Sequence, residues 1–476
     1  MIARALEEIA RYERPLIVTL FVAFASVLCL FFARAVPVSQ APDEVSHALR
    51  ADSVRHGVII GSRWALPPIT VVRQNGSASP EIVGIPWSAA GGLADPALFQ
   101  AVRPVLDASP GAPVTPSMLR DARAVPWLGP IQAEFRNTVQ YPPTFYLGAA
   151  LALQAAHQLG IGPYDAMIGV RLINIAQFLV LGGLALWFAV AGRLCLFVVL
   201  TLPMTLFVAA STSQDGIMIA TAALAVALVS RMWLQPALPT TRLALLTLVM
   251  IAFIVARPTN APLALLLLLP QPGINWRDRG AAFLTVAAAT LCWVLLSQAA
   301  VSVPLRPEAD VGEQLALLKA DPSRFLAALK VAIEVDGVGY LEQMIGRLGL
   351  LQVLLPPWLL QLYLLPIAAA IIGDMVQPTV APRLRLPATL LIVGGVATLT
   401  AIAQFLTWTP VGMIAIDGVQ GRYFLPAALV VGLGVAGLVP VAARWPRAIA
   451  VLGIMIGPAV SAAIVPGLIV AHYYGF

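Results

Sequence analysis

Residues 15–33 read PLIVTLFVAFASVLCLFFA. No charge interrupts the run, and it is as long as a helix must be to cross the hydrocarbon core of a bilayer. Arg4, Arg11 and Arg14 precede it. Ala33-Arg34-Ala35 weakly resembles a signal-peptide cleavage site, but the run is longer than a signal core, so we read an uncleaved first membrane helix. The composition agrees: 59% of residues are hydrophobic, 11% are charged and the mean hydropathy is +0.87. No soluble globular domain has that balance. The net charge of +6 is scattered over arginines at loop ends. That argues for topology signals and against nucleic-acid binding. Cys29, Cys195 and Cys292 lie in apolar stretches with neither disulfide nor metal spacing.

Outward from the first helix, apolar periodicity gives spans near 15–33, 165–191, 194–211, 216–234, 243–256, 261–275, 280–303, 355–373, 386–407, 423–441 and 447–470. Every short connection assigned to the cytoplasm then holds an arginine: Arg193, Arg231 and Arg242, Arg277 and Arg279, Arg383 and Arg385, Arg444 and Arg447. The expected fold is an all-α polytopic membrane protein of about eleven helices, N-terminus inside and C-terminus outside. Residues 142–158 could nearly span, but they carry Gln154 and His157, and counting them would turn the later arginine loops outward. We read them as a helix on or dipping into the outer surface.

Three regions follow. Residues 1–303 form an N-terminal membrane module with a long first outer loop, 34–164, bearing surface helices. Residues 304–354 form a second outer loop with amphipathic helical spacing and the chain's only lysines, Lys319 and Lys330. Residues 355–476 hold the last helices.

Ionisable residues near a membrane exit suggest a site. APDEVSHALRA, residues 41–51, follows the first span; Pro42 suits a first helical turn and Gly57 a position just past the helix end. At 100° per residue Asp43, His47 and Arg50 share a face, with Glu44 beside them and Arg55 on its flank. A carboxylate in such company could be a general base, could hold a divalent cation, or could simply cap the helix, with Glu44 a favourable first-turn charge. Asp52 and His56 fall on the opposite face and read as structural. Asp215, in AASTSQDGIMIATAAL, lies at another outer connection and is either a ligand or a cap. Arg257 in FIVARPTNAPL and Arg422 in TWTPVGMIAIDGVQGRYFLP sit at outer span ends, where they do not serve positive-inside topology. They could grip a lipid-linked phosphate bidentately, or pair with Asp215, Asp417 or a headgroup. There is no P-loop, dinucleotide fingerprint or serine-hydrolase elbow, which speaks against a nucleotide-driven pump.

Together these stretches resemble the GT-C class of membrane glycosyltransferases, and more closely the bacterial multi-span family known as domain of unknown function 2142. The resemblance rests on APDEVSHALRA, QYPPTFYLGAALALQ, GVRLINIAQFLVLGGLAL, LPMTLFVAASTSQDGIMIA, ARPTNAPLALLLLLP, IGRLGLLQVLLPPW and WTPVGMIAIDGVQGRYFLP, in that order. It implies a GT-C-like architecture and a site on the outer face of a bacterial inner membrane. Asp43, with Glu44, would be the catalytic pair. Asp215 and His47 would orient the base or the acceptor, Asp43 and Asp215 could hold Mg²⁺ or Mn²⁺, and no nucleotide is needed. Arg257, Arg422, Tyr423 and Gln420 would hold the phosphate of a polyprenyl-phosphate sugar. The acceptor would be a hydroxyl of a cell-envelope glycan or glycolipid. The chain lacks the large C-terminal soluble domain of many GT-C enzymes. Two alternatives stand beside the enzyme: a lipid-linked oligosaccharide transporter, which would need mid-membrane charges and repeats, and a non-catalytic assembly component.

Overall fold

The computed structural model describes residues 8, 11–73, 81–108, 112–234, 239–377, 385–441 and 443–475; Arg4 and Arg383 lie outside them. The apolar run forms helix α1, Glu13–Ala35, about as long as expected. Among the described residues seven helices are long and apolar enough to cross a membrane. They are α1, α4 (Pro163–Phe188), α7 (Asp215–Leu234), α9 (Trp276–Val301), α12 (Pro357–Met375), α13 (Arg385–Thr407) and α14 (Trp445–Tyr474). Of the about eleven spans expected, these seven stand as full-length apolar helices among the described residues. Residues 194–211 form two short helices, α5 (Arg193–Leu200) and α6 (Pro203–Ala209). The 243–256 span is the end of α8, Pro239–Ala256, whose apolar part is short. Residues 261–275 hold the end of a 3₁₀ helix, Pro258–Leu267, and 423–441 break into pieces of four and five residues.

Proline is the cause in two of the broken segments, because it removes a backbone donor and clashes with the preceding turn. Pro203 starts α6, and Pro258 and Pro262 force the tighter helix. The α5–α6 break is wholly buried. Side chains take up part of the freed backbone: Thr205 Oγ1 donates to Val199 O at 2.7 Å and Thr201 Oγ1 to Phe197 O at 2.8 Å. A buried break is tolerated on those terms.

The bundle has two distinguishable ends. At one, Glu13 accepts from Arg193 Nη1 at 2.8 Å and from Arg447 Nη2 at 2.8 Å. Asp374 accepts from Cys195 N at 3.0 Å, and the Arg231 guanidinium lies 5.2 Å from the Phe188 ring. Arginines from separate connections thus share one end, as positive-inside reading requires. At the other end Tyr474 donates its hydroxyl to Ala35 O at 3.0 Å, and Val114 N donates to Tyr473 O at 2.7 Å.

The first outer segment carries α2 (Glu44–Arg55) and α3 (Leu147–Gln158). At twelve residues α3 is too short to span, and it packs along α4 and α2. The all-α expectation fails here. Strands β1 (Ser62–Arg73), β2 (Glu81–Ala94) and β3 (Ile131–Glu134) form an antiparallel sheet in that order. Pro67 and Pro68 stand where the β1–β2 register shifts, on an edge strand, the place a sheet accepts proline. They also interrupt the alternation that would have marked the strand. Gly91 is required by close approach: a Cβ there would lie 1.9 Å from Ala133 O. The second outer segment holds α10 (Val311–Ala320) and α11 (Ser323–Gly346); Ala328 and Ala332 of α11 pack with Ala401 and Phe405 of α13.

Candidate functional site

Asp43 precedes α2 in the left-handed region, at φ 56°. Aspartate visits that region more readily than most residues. Its side chain makes no cap hydrogen bond. Instead Asn137 Nδ2 donates to Oδ1 at 3.1 Å and Arg422 Nη2 to Oδ2 at 3.3 Å, and the side chain is 37% exposed. Asp215 is not a cap either. Ser213 Oγ accepts from Asp215 N at 3.1 Å, leaving the carboxylate for Arg257 Nη2 at 2.9 Å and Arg422 Nε at 3.6 Å. The alternative of Arg422 pairing with Asp417 gives way to Arg306, which holds Asp417.

Two carboxylates and two guanidiniums, brought from four distant segments, thus form a neutral cluster. Tyr423 braces it, with its ring 4.7 Å from the Arg257 guanidinium and 5.5 Å from that of Arg422. Asp43, Arg257, Tyr423 and Gln420 line a cavity of about 570 Å³, whose wall includes the apolar Val255, Val294, Ala403 and Val419. Arg422 and Asp215 stand behind that wall, both buried. Gly421 lets the turn pack on α11: a Cβ would meet Tyr340 O at 2.0 Å.

Adjacent to Asp43 in sequence, Glu44 goes elsewhere. Its carboxylate is buried and accepts from Arg171 Nε at 2.7 Å, Arg171 Nη2 at 2.8 Å, Ser39 N at 2.9 Å and Thr212 N at 3.2 Å. So saturated, and off the cavity wall, it ties α2 to α4 and to the start of α7. Expected as the catalytic partner of Asp43, it instead has its carboxylate fully occupied by structural hydrogen bonds away from the cavity. Arg50 likewise donates to the carbonyls of Tyr141, Val58 and Ile59, and Arg55 pairs with Asp52 rather than flanking Glu44.

His47 is buried between Tyr141 and Tyr146, with ring centroids 6.0 and 5.8 Å away. Burial, opposed by Asp215 and Asp43, pushes its pKa down to about 4. Burial also raises the Tyr146 hydroxyl well above its ordinary value, so that group stays protonated. A neutral imidazole has one donor and one acceptor nitrogen. His47 uses them on the Tyr146 hydroxyl, 2.6 Å from Nδ1, and Ser213 Oγ, 3.1 Å from Nε2. Through Ser213 it reaches the start of α7 and positions Asp215.

Among the described residues no three His, Cys, Asp or Glu side chains gather as metal ligands. Asp43 and Asp215 both face guanidiniums, which repel a cation. These residues do not fit Mg²⁺ or Mn²⁺. Asn137, Trp293, Gln404 and Trp408 also reach the cavity. Sequence reading missed them because uncharged polar and aromatic residues carry no distinctive spacing.

The fold and the charged cavity at one bundle end define a polytopic membrane protein with a ligand-sized site. Residues 26–431 match the family described as predicted membrane protein (DUF2142), and the chain belongs to it. No curated protein and no solved structure matches the chain significantly.

Proposed function

We propose that this protein is an inverting glycosyltransferase of GT-C type, moving a sugar from a polyprenyl-phosphate donor to a hydroxyl of a cell-envelope glycan or glycolipid. The observation that carries the reading is the convergence of Asp43, Asp215, Arg257 and Arg422 beside a cavity whose wall is part charged and part apolar. A lipid-linked phosphate needs both characters. The arginines at the opposite end would face the cytoplasm of a bacterial inner membrane, leaving the cavity on the outer side.

In this mechanism the donor phosphate competes with the carboxylates for Arg257 and Arg422. As Arg422 turns to the phosphate, the Asp43 carboxylate is released from its ion pair and is free to meet the acceptor hydroxyl. Asp43 accepts the acceptor hydroxyl proton as that oxygen bonds to the anomeric carbon. The bond from that carbon to the phosphate oxygen breaks, and polyprenyl phosphate leaves with the electron pair, its charge met by the arginines. Single displacement inverts the anomeric centre. Asp215 holds the guanidiniums in place.

The broken helices favour a second reading, a lipid-linked saccharide transporter, since such folds use discontinuous helices. The α5–α6 break, however, is lined by apolar and hydroxyl side chains and carries no charge at mid-depth. Membranes containing the protein, incubated with labelled polyprenyl-phosphate sugars, decide between the two. The enzyme consumes a donor and forms a new glycoside; a transporter relocates the lipid unchanged.

A further inference from the structure

The cavity wall also carries an uncharged polar set. Trp293 and Trp408 stand on it with Gln298, Gln404, Gln420 and Thr400. Both indoles are held in place. Trp293 Nε1 donates to Gln140 O at 2.9 Å. Trp408 has the Arg306 guanidinium 5.4 Å from its ring centroid. Gly418, at φ +83°, packs against it: a Cβ there would come within 2.3 Å of Trp408 Cδ1 and 2.8 Å of Gln404 Oε1. A side chain at 418 would push indole and amide out of position.

The charges nearby are paired, Asp43 with Arg422 among them, and in the proposed transfer Asp43 serves the acceptor hydroxyl while Arg257 and Arg422 serve the phosphate. Arg306 pairs with Asp417, and Arg257 with Asp215. Three polar atoms of the lining residues are not committed, one of them Arg257 Nη1, which the donor phosphate would take. Thr400 is 2% exposed, and neither its Oγ1 nor Gln420 Oε1 has a hydrogen-bond partner among the described residues. Buried polar groups left unpaired cost stability, so each calls for an explanation.

We infer that this wall receives the sugar of the donor, and that the sugar is neutral and hydroxyl-rich, a plain hexose or pentose rather than a uronic acid or a protonated amino sugar. The inference rests on the glycosyltransferase reading. Side-chain amides both donate and accept, which matches hydroxyls that do the same. Indole faces cover the apolar C–H faces of a sugar ring, and a few convergent polar groups fix its orientation. A carboxylated sugar would need a cation beyond the arginines that hold the phosphate, and an amino sugar a carboxylate beyond the Asp43 base; Arg306 and Asp417 neutralise each other. Gln420, expected with the phosphate group, stands where phosphate and sugar would meet.

The test uses the purified full-length protein in lipid nanodiscs. Binding is measured for a short polyprenyl phosphate alone and for the same lipid bearing glucose, glucuronic acid or glucosamine, with arabinose as the neutral pentose. A neutral sugar should add to the affinity of the bare lipid, and the charged sugars should bind about tenfold more weakly than the neutral ones. Gln404→Ala should remove about three- to tenfold of the sugar's contribution, the equivalent of one neutral hydrogen bond, and leave the bare lipid unaffected. Thr400→Val supplies a readout that a structural role would not give. Removing an unpaired hydroxyl should leave the unfolding temperature unchanged or higher while donor binding weakens. Preference for the uronic acid or the amino sugar overturns the inference and leaves the glycosyltransferase reading standing. So does equal weakening of bare and sugar-bearing lipid in both variants. If no lipid binds, bare polyprenyl phosphate included, the parent reading fails and takes this one with it.

Discussion

Arg422 Nη2 lies 3.3 Å from Asp43 Oδ2, although 379 positions separate the two residues in the chain. The same guanidinium reaches Asp215. A single side chain near the C-terminal helices therefore links the acidic residue after the first span to the one that opens α7.

Asp43→Asn preserves the contact with Asn137 but cannot accept a proton. Transfer should fall by roughly 10²–10⁴-fold, the usual contribution of a general base. Membrane insertion and unfolding temperature should stay near those of the wild type. Near-normal turnover of the variant on labelled donor would remove Asp43 from the mechanism.

Arg257→Ala and Arg422→Ala should each weaken donor binding by about tenfold or more, since a charge-assisted phosphate contact contributes roughly 1.5–3 kcal/mol. Lysine at either position should restore only part of it, because an ammonium cannot pair bidentately. The double alanine variant leaves buried Asp215 without a cation and should be markedly less stable than either single variant. Unchanged donor affinity in both single variants would place the phosphate elsewhere.

Glu44→Gln should behave differently from Asp43→Asn. Breaking the buried Glu44–Arg171 pair strands Arg171, at a cost of about 3–5 kcal/mol. Thermal unfolding in detergent should show a lowered midpoint. A variant that is fully stable yet inactive would restore Glu44 to the chemistry.

His47 has a folded pKa of about 4, below its unfolded value of about 6.5. Between those values the unfolded chain binds the proton and the native one does not. Stability from the neutral imidazole is therefore complete above pH 6.5 and declines as pH falls toward 4. His47→Gln should flatten the stability profile in that window. The wild-type pH–rate profile should show no inflection near 6.5 from this residue.

Asp278 lies at the start of α9, at the end assigned to the cytoplasm, where Asn275 Oδ1 accepts from its backbone N–H. In a Cys292→Ala background, Asp278→Cys should resist impermeant thiol reagents added to intact cells. Labelling from outside would invert the topology.

Hydropathy in the sequence determined that the chain lives in a bilayer and where its first helix lies, because partition into lipid is set by each segment's own side chains. Gly57 past the end of α2 and the charged residues at span ends were legible for the same local reason. The fates of Asp43 and Glu44 were not. A left-handed residue before α2 and the packing of α4 send one carboxylate to the cavity and the other to Arg171, and no spacing distinguishes neighbours. The β1–β2 pairing, the broken α5–α6 segment and the Asp43–Arg422 contact were likewise decided only by tertiary structure. A buried charge is neutralised by whichever distant group packing brings within reach, and a strand or half-helix persists when its neighbours satisfy its backbone.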